Sequence, residues 1–274
     1  HRRLNGTIMK RCLSRSPHTG RAIIALTLAT LCAGMVGCEE GSSGDTVHIF
    51  AASSLTEAFE ALEERFEVLQ PEADVSLTFA GSQVLRLQIE GGAGADVFAS
   101  ANQEHMDALV RDGVIEQTQI LGSNALVLIV PKDNPSGLGS FADLTRTERL
   151  VIGTEHAPVG RYTREVFRRA RESLGVAFAE QVLERVVSEE KNVRLVRAKV
   201  ELGEADAAIV YRSDALGRAS IQTLEIPETM NVEARYTMGL IEKSHNETLA
   251  KAWMAFVASD VGKSILAEHG FGSQ

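Results

Sequence analysis

Cysteine is missing from most of this chain. Its three cysteines, Cys12, Cys32 and Cys38, all fall within the first 38 of 274 residues. The remainder therefore has no disulfide framework and no Cys metal site. Its stability must come from a buried core, which is feasible at this length. Aromatic residues make up only 5%, so that core must be mostly Ala, Val, Leu and Ile. Metal-ligand spacing such as H-E-x-x-H is absent around His105, His156 and His245. A G-x-S-x-G elbow is absent too: Ser82 stands in Gly81-Ser82-Gln83, which lacks the frame a serine hydrolase needs. No internal repeat or heptad run is found.

What is present begins with a leader. Lys10, Arg11, Arg15 and Arg21 precede an uncharged apolar run over 22–36, too short for a comfortable membrane span. Met9-Lys10 is a natural start. Residues 1–38 read as a secretory signal peptide, and its ending, Met-Val-Gly-Cys, resembles a lipobox that lipidates Cys38. Residues 39–45 (EEGSSGD) are a polar tether. The expected location is the periplasm or cell surface, with a lipid anchor at Cys38. The leader holds six basic residues and no acid, leaving 22 basic against 37 acidic residues beyond it, a net of −15. Such a body is a poor nucleic-acid binder. Nor does its overall field attract an anion.

Beyond the tether, strand and helix patterns alternate. Residues 46–52 read as a strand. Leu55, Ala58, Phe59, Leu62 and Phe66 recur at helical spacing over 54–69. Strands follow at 74–80 and 95–99, with helices near 84–89 and 103–112. Residues 125–130 (ALVLIV) form a continuous apolar strand stopped by Pro131. A second series places strands at 150–153, 207–210, 221–226 and 234–240, and helices at 161–170, 178–186, 193–202, 249–257 and 261–269. This rhythm predicts an α/β protein with parallel sheets covered by helices. Two lobes would be joined by crossover strands near 125–130 and 234–240 and free to hinge about a central cleft. The expected division is 46–126 plus 236–274 for lobe 1, and 127–235 for lobe 2.

Four helix starts stand out. Ser54 precedes Glu57 in S-x-x-E, a capping-box pattern. Ser82 follows Ala80-Gly81 at the next strand-to-helix turn. Ala157-Pro158-Val159-Gly160 opens a third helix with Pro in its first turn, and Asn192-Val193-Arg194 opens a fourth, with Asn192 as a candidate cap. Tyr211 ends a strand. In a parallel sheet the strand ends share one edge, where open α/β sheets bind ligands. Helix N-termini there present unpaired N–H groups and positive dipole ends to an anion.

FAASSLTEAF, FAGSQVLRLQIEGGAGADVFASA, EHAPVGRYTREV and EEKNVRLVRAKVELGEADAAIVYRSDA, in this order, resemble the molybdate-binding proteins of bacterial ABC transporters. The resemblance runs from about Val47 to Phe271. It implies the type II periplasmic binding protein fold, two lobes with a central cleft and two crossover strands. It also implies a monomeric binding protein, not an enzyme. Such a protein holds molybdate or tungstate as its ligand, needs no cofactor, and delivers to a permease with a cytosolic ATPase. The metal would be bound only as the oxyanion. By motif position, Ser54 and Ser82 would each give a hydroxyl and a backbone N–H, Val159 and Val193 a backbone N–H, and Tyr211 its hydroxyl. Val159 stands where many members have Ala, and Gln83 where many have Ser. Another oxyanion, such as sulfate or phosphate, is the alternative ligand. A ferric-ion site on the same fold normally uses several tyrosines, and only Tyr162, Tyr211 and Tyr236 are present. Arg86, Arg161 and Arg194 lie near the helix starts and read as solvated helix faces.

Overall fold

The structure, a computed structural model, describes residues 45–272. The expected leader and the lipidation at Cys38 lie outside the described residues, as does nearly all of the expected tether. In the first β-α series, β1 (Asp45–Ala52) pairs in parallel with β2 (Ala73–Ala80), in register from Asp45↔Ala73 to Ala52↔Ala80. On its other side β1 pairs in parallel with β3 (Val97–Ser100). Helices α1 (Thr56–Leu69), α2 (Ser82–Glu90) and α3 (Gln103–Arg111) follow these strands in turn. The helical spacing of apolar residues in α1 buries Ala58, Phe59, Leu62 and Phe66. Trp253 packs edge-on against Phe59 and Phe66, with centroids 5.9 and 5.4 Å apart. Trp253 belongs to α8 (Glu247–Ala258), which α9 (Asp260–Glu268) follows.

The second series runs β5 (Leu150–Gly153), α4 (Pro158–Leu174), α5 (Val176–Glu184), β6 (Val186–Glu190), α6 (Val193–Glu201), β7 (Ala207–Tyr211) and α7 (Arg212–Ala215). β5 is parallel to both β6 and β7. β8 (Ile221–Glu225) and β9 (Glu233–Ile241) complete the strands.

The two series are joined through β4 (Ile115–Pro131), and the strand order is β2-β1-β3-β9-β4-β7-β5-β6, with β8 also on β4. β4 changes partners along its length. Residues up to Ala125 pair antiparallel with β9, which in turn pairs with β3. From Leu126 onward β4 pairs with β7, and from Val127 with β8. Between the end of β9 pairing and the start of β8 pairing, Leu126 lacks a strand neighbour on that side. The Asn231 side chain fills the gap, accepting from Leu126 N at 3.2 Å and donating to Leu126 O at 2.9 Å. β4 is thus one crossover between two lobes. The return crossing runs through 226–232 into β9.

Three expectations need correction. The strand expected at 125–130 extends back to Ile115, because β9 supplies backbone partners to a polar stretch that has no apolar alternation of its own. The helix expected at 178–186 spans α5 and gives way to β6, which is recruited by pairing with β5. The helix expected to start at Ser54 with a capping box does not use one. Residues Ser53–Leu55 wind as a 3-10 turn ahead of α1, and neither this turn nor α1 has a side-chain cap. Ser54 sits inside the turn rather than before it, and its hydroxyl meets that of Tyr236 instead of capping the helix.

Candidate ligand-binding site

Strand ends deliver the chain to helical starts around one small cavity of about 10 Å³. Ala52, Ser53 and Ser54 come from the end of β1 and the turn after it, and Ala80, Gly81 and Ser82 from the end of β2. Ala157, Pro158 and Val159 line it from the start of α4, Asn192 and Val193 from the start of α6, and Tyr211 from the end of β7. All five residues singled out in the sequence, Ser54, Ser82, Val159, Val193 and Tyr211, therefore line one cavity, each less than one-tenth exposed.

The local sequence explains the approach. Pro158 takes the first helical position of α4, where a missing N–H costs nothing. Asn192 caps α6, accepting from Leu195 N at 3.1 Å. Gly160 is required for contact: a Cβ there would run into the carbonyl oxygens of Thr154 and Gly153. Gly81 plays a similar part between the lobes, since its Cβ would meet Lys191 O at 2.6 Å.

The electrostatics are those of neutral donors. Among the described residues no Asp, Glu, Lys, Arg or His lines the cavity. The 3-10 turn at 53–55 and helices α2, α4 and α6 also carry no acid in their first turns. Acids do stand in the first turns of α1 (Glu57), into which the 3-10 turn leads, and of α7 (Asp214), which Tyr211 precedes, as they do in α3, α8 and α9 (Glu104, Glu247 and Asp260). An acid in the first turn neutralises a helix's positive end, so the ends of α2, α4 and α6 are the ones left free to act on a ligand.

The hydroxyls are oriented. Ser82 Oγ accepts from Ala101 N at 3.1 Å, and Ser54 Oγ accepts from the Tyr236 hydroxyl at 2.9 Å. Among the described residues the buried Tyr211 hydroxyl makes no well-formed hydrogen bond, though the Tyr236 hydroxyl lies beside it. The chain's three tyrosines form an edge-to-face row closed by Phe271: Tyr162–Tyr211 at 6.3 Å, Tyr211–Tyr236 at 5.6 Å and Tyr236–Phe271 at 5.1 Å. Burial pushes the Tyr211 and Tyr236 pKa values well up, and that of Tyr162 to about 12. These phenols are therefore neutral at ordinary pH and carry protons they can donate. Tyr236 was missed as a contributor from the sequence, because 182 residues separate it from Ser54.

Charged groups surround the cavity without entering it. Glu57 pairs with Arg194 at 2.8 Å and also with Arg218. Burial alone would raise the Glu57 pKa, but its own backbone N–H and the two arginines outweigh this and hold it below the usual value. Arg161 pairs with Glu104 at 2.8 Å, and Arg86 with Glu90 at 3.6 Å. Gln83 does not line the cavity; its Nε2 donates to Lys191 O at 2.6 Å. His156 contributes its carbonyl, 3.1 Å from Nε2 of the buried His105. Just beyond Tyr211 lies Asp214, whose carboxylate oxygens are buried without hydrogen-bond partners. Burial pushes its pKa to about 7 despite Arg197, whose Nη1 lies 3.9 Å from Oδ1.

A family profile described as bacterial extracellular solute-binding protein matches residues 47–272. The molybdate-binding protein ModA of Mycobacterium tuberculosis H37Rv is 34% identical over 259 residues, covering 90% of this chain and 95% of the relative. The molybdate-binding protein ModA of Escherichia coli K12 is 32% identical over 235 residues, 82% of this chain and 88% of the relative. Among solved structures, the Azotobacter vinelandii periplasmic molybdate-binding protein superposes with a TM-score of 0.73 at 18% identity, covering 83% of this chain and 99% of that one. At that identity the likeness concerns the fold.

Proposed function

Because this chain belongs to the bacterial extracellular solute-binding proteins, we propose that it captures molybdate, or the similarly shaped tungstate, between its two lobes for an ABC importer. The observation that carries this reading is the cavity itself. Helix starts and hydroxyls converge there, and among the described residues no charged side chain lines it. Molybdate is a dianion without a proton at neutral pH. Hydrogen bonds to a charged partner contribute roughly 1.5–3 kcal/mol each, so several converging donors hold it firmly. They do so without burying a counter-charge and incurring its desolvation cost.

In this reading Ser54 and Ser82 donate through hydroxyl and backbone N–H, Val159 and Val193 through backbone N–H, and Tyr211 through its hydroxyl. Lobe 1 comprises 46–126 plus 236–274, and lobe 2 comprises 127–235. The change of β4 partners at Leu126 supports that division. The protein works as a monomer by binding rather than catalysis and needs no cofactor. Its partner is a membrane permease driven by a cytosolic ATPase. Cys38 carries the lipid that keeps it at the membrane; no helix of the described residues is long and apolar enough to cross one.

Isothermal titration of the leaderless protein with molybdate, tungstate, sulfate and phosphate tests the reading. Tight one-to-one binding of molybdate, with little response to sulfate or phosphate, is expected. Preference for sulfate or phosphate would move the specificity within the same fold. No binding by folded, ligand-free protein would remove the oxyanion reading altogether.

A further inference from the structure

If the cavity holds an oxyanion, as the proposed function has it, the Tyr236–Ser54 hydrogen bond bears on which oxyanions it accepts. Tyr236 is fully buried in the aromatic row, and its hydroxyl donates to Ser54 Oγ at 2.9 Å. A hydroxyl has one proton and two lone pairs, so it can donate once and accept twice. With the Tyr236 proton occupying one direction around Ser54 Oγ, the Ser54 proton cannot turn that way and is left to the cavity. Reversing the bond would turn the Tyr236 proton toward the neighbouring Tyr211 hydroxyl, which already faces Tyr236 as a donor, so two protons would compete for one direction. Ala101 N–H constrains Ser82 Oγ in the same sense, but as a backbone group that no substitution short of proline removes.

We propose that Tyr236 is a positioning and specificity-determining residue: it keeps Ser54 a standing donor and thereby biases the cavity toward oxyanions that carry no proton. An ion such as hydrogen phosphate brings a P–O–H that needs an acceptor, and a hydroxyl locked as a donor is a poor one. Without Tyr236, Ser54 is free to turn its proton aside and offer a lone pair.

The test compares wild type and Tyr236→Phe, which keeps the ring and its packing against Tyr211 and Phe271. Molybdate and sulfate are titrated directly at pH 8, and hydrogen phosphate is measured by its displacement of the tighter of the two. The readout is the ratio of the hydrogen phosphate Kd to the Kd of that proton-free ion. The ratio is expected to fall by roughly three- to ten-fold in Tyr236→Phe, the scale of one hydrogen bond. Adding Ser54→Ala should abolish the difference, so that Ser54→Ala and the double variant share one ratio. Equal weakening of every ion, or a ratio unmoved by Tyr236→Phe, would assign Tyr236 a packing role only and overturn the inference while leaving the function intact. A difference that persists in the Ser54→Ala background would show that Tyr236 acts by another route, and would overturn it as well. Wild type that binds none of the three ions would remove the oxyanion reading and this inference together.

Discussion

Among the described residues Tyr211 keeps a fully buried hydroxyl with no well-formed hydrogen bond, only the Tyr236 hydroxyl beside it, which folding alone does not favour: a buried donor without an acceptor costs about 1–3 kcal/mol. Unlike the equally unpartnered Thr147, Thr237 and Trp253, it lines the cavity, so in the proposed reading its donor is used in the bound state. Tyr211→Phe is therefore expected to act in opposite directions on the two properties. Molybdate affinity should fall roughly ten- to hundred-fold, the loss of one charge-assisted hydrogen bond. The melting temperature of the ligand-free protein should stay level or rise. Calorimetry and thermal melts on the same sample check both, and a variant that binds normally while melting lower would place Tyr211 in the fold rather than the site. The cavity-lining residues were legible in the sequence because their signals are local: a strand, a small residue, then a helix start. What orients them was not. Tyr236 reaches Ser54 only through the tertiary fold, and Ser54 carried a capping-box pattern that the 3-10 turn makes irrelevant.

At the scale of elements, α1 faces the second lobe through one carboxylate. Glu57 receives Arg194, the second residue of α6, and Arg218, which follows α7. Because Val193 at the start of α6 lines the cavity, this ion pair draws a donor-bearing helix end toward the first lobe. Gln83 adds a link from α2 to Lys191, and Arg161 one from α4 to Glu104 on α3. Glu57→Gln should weaken molybdate binding by about two- to five-fold, the scale of a partly exposed ion pair. The gap from wild type should narrow in high salt, because screening removes what the substitution removes. Titrations at two ionic strengths decide it; a gap that ignores salt would mean the pair does not help close the cleft. The alternation of elements was readable along most of the chain. The first part of β4 and all of β6 were not, because Glu116, Gln117 and Gln119 in one and Glu189 and Glu190 in the other become strand only by finding partners far away in sequence.

Across the whole molecule, stability should carry the mark of Asp214. Its pKa in the folded protein, about 7, lies above the ordinary 3.8. Between these values the folded state holds a proton that the unfolded state has released, so stability falls as pH rises from about 4 to 7 and levels off above. Asp214→Asn stays neutral throughout. Its stability relative to wild type should increase across that window, by up to roughly 4 kcal/mol. Denaturant melts at pH 4, 5.5, 7 and 8 provide the comparison, and a constant offset would mean the carboxyl titrates at its usual place.

The two lobes meet where Asn231 stands in for a missing strand beside Leu126. A continuous strand neighbour resists rotation because successive backbone bonds must break together. A lone amide on two rotatable bonds follows the backbone as it turns and keeps its grip on both Leu126 groups. The joint therefore offers little friction. Opening the cleft then leaves the ties across its rim, Glu57 with Arg194 and Gln83 with Lys191, as the bonds that must part.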